Sequence, residues 1–214
     1  MIGNITLALS SIIAIIGIVR YKKLTMPFKL LTLSLISSQL ITIGNIYINY
    51  KYKNNAALSH IDAISNYLFY SLIYYYLFKN KNTKYFILLS IFLITVFFFI
   101  NALFLQPYAR VFPSNLNLPT EVLYVIFSVL LYKQMLLYPL QVNIIKQSIF
   151  WYNTAILFFA STMFINLQLV NYYSSHKYNS IVINSWYSIN IIFDIMQGIA
   201  ILADRKEVTK ANAQ

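Results

Sequence analysis

Apolar positions along the chain fall into seven long runs separated by short polar gaps, at about residues 2–19, 28–50, 62–78, 85–105, 119–138, 150–169 and 181–202. At about 1.5 Å per residue, each is long enough to carry a helix across a hydrocarbon layer of about 30 Å. Within the runs, polar side chains recur at helical spacing. The second run holds Ser34, Ser38, Thr42, Asn45 and Asn49, the fifth Glu121, Tyr124, Ser128 and Tyr132, and the seventh Asn190, Asp194 and Gln197. Residues three and four apart share one face of a helix. An amide or carboxyl turned to lipid would have no partner, so such stripes must face protein. The pattern predicts an all-α fold: a polytopic bundle of seven transmembrane helices over residues 1–203, followed by a short basic tail at 204–214.

The gaps carry the punctuation. Arg20, Lys22 and Lys23 follow the first run, the reverse of a secretory signal, so that run reads as a retained span. Lys79, Lys81 and Lys84 form a basic turn before the fourth run, the most lipid-like of the set. Pro107, Pro113 and Pro119, with Asn115 and Asn117, predict an extended loop over 106–119, after which Pro119, Thr120 and Glu121 open the fifth helix. The stretch 134–146 is amphipathic and interrupted by Pro139, as expected of a segment lying on the inner surface. With the amino end outside, the inner gaps hold Arg20, Lys22, Lys23, Lys29, Lys79, Lys81, Lys84, Lys133, Lys146, Arg205, Lys206 and Lys210. The outer gaps hold only Lys51, Lys53, Arg110 and Lys177. That asymmetry predicts an amino-out, carboxyl-in protein of a bacterial inner membrane.

Composition changes the picture only by exclusion. The chain is 59% hydrophobic and 10% charged, against about 45–50% and about 25% in a soluble domain. The net charge of +11 is scattered through the gaps and forms no stripe, so it reads as topology and excludes nucleic acid as a partner. There is no cysteine, hence no disulfide and no thiolate chemistry. Glycine is scarce, which predicts packing through larger side chains and interhelical hydrogen bonds. Heavy use of Ile, Asn, Lys and Tyr fits an AT-rich bacterial genome.

The deepest charge is Asp194, about 15 Å inside the boundary marked by Asp204 and Arg205. The candidate intramembrane polar site comprises Asp194, Asn190, Gln197, Asn45, Asn66 and Asn166, with Ser128 beside it and Asp62 and Glu121 at an outer mouth. Two readings stay open. The stripes are interhelical glue, each contact worth about 0.6 kcal/mol, or they line a proton or cation path down to Asp194. No Lys or Arg lies deep in a run to pair with these acids. The motifs of metalloproteases, serine hydrolases and nucleotide-binding loops are missing, so no enzyme is expected. The seventh run has no Lys for a retinal Schiff base. His60 and His176 fall in predicted outer loops as solvated residues, and no metal or cofactor is expected.

Pro119-Thr120-Glu121, Phe150-Trp151-Tyr152-Asn153, Trp186-Tyr187 and Ile191-Ile192 resemble landmarks of an uncharacterised group of small seven-span membrane proteins of Bacteroidota-type bacteria. That group looks like stand-alone versions of membrane sensor modules that work with histidine kinases. The likeness covers roughly the last hundred residues and carries no functional role over to Asp194, Asp62 or Glu121. It implies a sensory or interaction module signalling to a separate cytoplasmic protein through Lys79, Lys81, Lys84 and the tail, with self-association left open. The competing expectation is a small proton- or cation-linked carrier or channel using Asp194.

Overall fold

The computed structural model describes residues 2–109, 111–138, 143–173 and 180–204. Among these are seven α-helices and no strand: α1 (Ile2–Arg20), α2 (Met26–Tyr52), α3 (Ala56–Leu77), α4 (Lys81–Ile100), α5 (Ser114–Leu137), α6 (Ser148–Tyr173) and α7 (Ser180–Ala203). Six of them, all but α3, are long and apolar enough to cross a membrane. The chain forms two compact units, Met1–Lys29 with Glu121–Gln214, and Leu30–Thr120. Helices α2 and α5 each begin in one unit and end in the other.

In the first unit α7 lies against both α6 and α1. It runs antiparallel to α6, with Asn166 bonded to Ser185 and the Phe159 ring stacked on Phe193 at 4.3 Å. It runs parallel to α1. A Cβ on Gly3 would meet the Tyr187 ring and one on Gly198 would meet Ile13, while Arg20 reaches Asp204. Scarce small residues gather here. Ala155 and Ala160 of α6 and Ala200 of α7 are fully buried, and Gly198 sits so close to Ile13 that a Cβ would lie 3.3 Å from its Cγ1. Packing of α5 on α6 instead uses the larger polar side chains expected: Asn153 donates to the Ser128 carbonyl at 3.0 Å. Tyr132 pairs with Thr154 one turn on.

In the second unit α3 runs antiparallel to both α2 and α4. Ser37 meets Ser65, and Gly44 faces Leu58. Tyr67 donates to Ser90 at 2.9 Å and His60 packs on Phe98. Helix α4 bears out the lipid-like reading, with Leu89, Phe92, Leu93, Phe99 and Ile100 all exposed. In water such a face would be an anomaly, whereas in lipid it needs no cover.

Three boundaries differ from the sequence pattern. Helix α5 starts at Ser114, so the loop expected to reach Pro119 is shorter and Pro119 lies inside the helix. The N-terminal turns of a helix have backbone donors to spare, so a Pro there costs little. Helix α3 starts at Ala56, before the expected 62, because polar Ser59, His60 and Asp62 are carried by an apolar remainder. As a result His60 is a buried helical residue and not a solvated loop histidine. At the start of the stretch expected to lie on the inner surface, α5 continues helically to Leu137. Residues 139–142, Arg110, His176, Lys177 and the tail beyond Asp204 lie outside the described residues.

Candidate functional site

The residues expected to line one interior path divide between the units: Asn45, Asp62 and Asn66 in the second, Glu121, Ser128, Asn166, Asn190, Asp194 and Gln197 in the first. On α7, Asp194 and Gln197 are buried, at 7% and 0% exposure, while Asn190 is half-buried and returns its Nδ2 to the Trp186 carbonyl of its own helix. Beyond Asn190 the exposed positions of the helix are apolar, Ile192, Ile195 and Leu202, whereas polar Asn184 and Ser188 are exposed nearer its start. The stripe therefore faces protein, as its spacing requires. Among the described residues Asp194 has no hydrogen-bonding side chain or backbone partner. Asn166 is buried on α6; its Nδ2 donates to Ser185 Oγ at 3.0 Å, and its Oδ1 has no partner. Glu121 is buried near the start of α5 with Oε2 unpartnered, and Ser128 is fully buried with its carbonyl taken by Asn153.

In the second unit, Asp62 of α3 engages Asn66 one turn along and Ser38 across on α2. Among the described residues its Oδ1 has no partner, and neither has the buried Oδ1 of Asn45, about two turns beyond Ser38 on α2. This set is more sheltered than an open mouth, since all three residues are half-buried.

Two features carry more structure than their sequence neighbourhood announces. The first is the anchoring of the segment after α4. That helix ends in a π-helical turn, Asn101–Leu105, which turns Asn101 fully inward. Asn101 Nδ2 donates to Gln106 Oε1, which also accepts from the Asn115 backbone, and Gln106 Nε2 donates to Ser114 Oγ. Asn54 holds the Ala109 carbonyl and His60 Nε2 holds that of Val111 at 2.9 Å. A carbonyl can only accept, so Nε2 carries the proton. The proline-rich loop is thus fixed from four directions. Among the described residues neither His60 Nδ1 nor Asn101 Oδ1, both buried, has a partner.

The second is Asp204, read from sequence only as a boundary mark. It is 4% exposed at the end of α7. Its Oδ2 accepts from the Thr25 backbone at 2.7 Å, its Oδ1 from Thr25 Oγ1 at 3.2 Å and Ser148 Oγ at 3.4 Å, and its carbonyl from Arg20 Nη2 at 3.0 Å. One residue so ties the end of α1, the start of α2 and the start of α6 to α7. Burial pushes its carboxyl above the ordinary range, against the opposing pull of the Thr25 and Ser148 hydrogen bonds and the Arg20 charge. No signal in the sequence marks this role, because the contact of Asp204 with Arg20 and Thr25 is a proximity that no linear spacing displays.

No group of three or more potential metal ligands occurs among the described residues. Compared with known proteins, the chain matches no family model, no curated protein and no solved structure. Fold and surface together define its class: an all-α, multi-pass membrane protein.

Proposed function

We propose that the chain is a non-enzymatic, seven-pass module of a bacterial inner membrane, amino end outside, that passes a stimulus to a separate cytoplasmic or membrane protein. The crossing number is supported by direction. A chain that reverses at every span runs parallel to its first helix only on odd-numbered passes, and α7 lies parallel to α1. Were α3 alone to stay on one side, α7 would be the sixth pass and would run the other way. The orientation rests on the crowding of Lys and Arg into alternate gaps.

The signalling reading rests on one observation. Helix α7 carries Asp194, buried and without a hydrogen-bonding partner among the described residues, and, about 15 Å further along, Asp204, which holds the ends of three other helices. An ionisable group at such depth is a functional site by default. A stimulus that favours a displaced α7 carries Asp204 with it and so alters the ends of α1, α2 and α6, where a partner can read the change. The competing carrier reading draws on the same Asp194, which has no Lys or Arg deep in the spans to neutralise it.

Reconstitution separates the two. In vesicles loaded with pH- and cation-sensitive dyes, the signalling reading expects proton, sodium and potassium flux at background, for the parent and for Asp194→Asn alike, with a defined cytoplasmic partner co-purifying. Flux in the parent that Asp194→Asn abolishes would overturn it in favour of transport.

A further inference from the structure

The Asp204 staple gathers cations as well as helix ends. Arg20 and Thr25, both bonded to Asp204, bracket the 3₁₀ turn Tyr21–Lys23, which leaves Lys22 and Lys23 exposed. Ser148, bonded to the same carboxyl, follows Lys146 by two residues, and Lys146 is exposed too. Two segments far apart in the sequence are thus tied to one buried acid, and both carry exposed lysines within three residues of the tie. Among the described residues none of the three pairs with a carboxylate, and Asp204 is turned inward by its own hydrogen bonds. The rim has the height and trim of a headgroup layer. It stands where the apolar lengths of α1, α2, α6 and α7 end. Trp151 donates its Nε1 to the Ile145 carbonyl beside Lys146, and the Lys29 ammonium lies over the Tyr21 ring at 5.4 Å, the amphipathic pairing expected at a membrane surface.

We propose that this rim, Lys22, Lys23 and Lys146 around the Asp204 staple, binds the phosphate groups of anionic phospholipids. Ammonium groups are strongly hydrated point charges suited to phosphate oxygens at an interface, and the Asp204 hydrogen bonds hold the two lysine-bearing segments at the same end of the helices. The proposal requires only that the helices cross a bilayer, and is independent of the signalling reading.

The test uses the full-length protein in nanodiscs of equal phosphatidylcholine and phosphatidylglycerol, followed by extraction and quantification of the lipid that stays bound. The parent is expected to retain phosphatidylglycerol in preference to phosphatidylcholine, and to lose that preference as salt is raised. At about fivefold per lysine, the triple variant Lys22→Gln, Lys23→Gln, Lys146→Gln should bind on the order of a hundredfold more weakly. A control, Lys51→Gln with Lys53→Gln, should retain the preference, and thermal melts should show the triple variant folded, since all three side chains are exposed. Equal retention of the two lipids by the parent, or an undiminished preference in a folded triple variant, would overturn the proposal. The first of these results would leave the rim to an acidic protein surface instead.

Discussion

Asp204 shows how much one side chain can hold when several orphan donors converge on it. The Thr25 backbone N–H at the start of α2, two hydroxyls and an arginine all spend hydrogen bonds on this residue. Asp204→Ala leaves buried donors without acceptors and should cost about 2–3 kcal/mol, read as a lower melting temperature in detergent. Asp204→Asn keeps an acceptor for Thr25 and removes the charge. Burial places the folded-state value of this carboxyl above the unfolded value, about 3.9, so the folded state holds the proton more tightly. The linked stability is full below the unfolded value and is lost as pH rises through the raised one. The parent should therefore lose stability relative to Asp204→Asn as pH rises above about 4, and parallel melting curves for the two proteins would refute the assignment. Asp194 was legible in the sequence, because a carboxyl in the middle of an apolar run is conspicuous. Asp204 was not, because its importance lies in contacts with residues more than fifty positions away.

At the scale of elements, hydrophobic runs located every helix, and the departures have local causes. Polar residues near helix starts hid the true beginnings of α3 and α5: Ser59, His60 and Asp62 in one, Asn115, Asn117 and Pro119 in the other. The scarcity of glycine predicted packing through larger side chains and interhelical hydrogen bonds, which describes α5 on α6 and the Ser37–Ser65 contact of α2 with α3. It missed the α1–α7 seam, where two of the four glycines are spent, at Gly3 and Gly198. Gly198→Leu should force Ile13 aside and destabilise the seam by about 1–3 kcal/mol, whereas Ala should need only a small adjustment of the Ile13 side chain. Proteolysis of the two variants in detergent checks the order, and equal resistance would contradict the close approach. The loop after α4 offers a second element-scale test. His60→Ala removes the donor to the Val111 carbonyl, so backbone amides near residue 111 should exchange with solvent faster, while those in α6 keep their protection. Unchanged exchange near 111 would mean that His60 does not anchor the loop.

For the whole molecule, the membrane class rests on six long apolar helices with exposed apolar faces, a conclusion that composition alone already pointed to. Helix α3 is the element on which the number of passes turns. Its five tyrosines and its cluster of Ser, His, Asp and Asn lower its apolar character below that of its neighbours, yet it runs antiparallel between two helices able to span. The seven passes proposed above fit the parallel course of α1 and α7. The absence of cysteine makes the decisive measurement clean, since every introduced thiol is the only one. Lys51→Cys and Lys81→Cys place single thiols at exposed positions on either side of α3. In intact cells and in inverted membrane vesicles treated with a membrane-impermeant maleimide, the account predicts that Lys51→Cys reacts only from outside and Lys81→Cys only from the cytoplasmic side. Labelling of both thiols from the same side would show that α3 does not cross, and would contradict the seven-pass account.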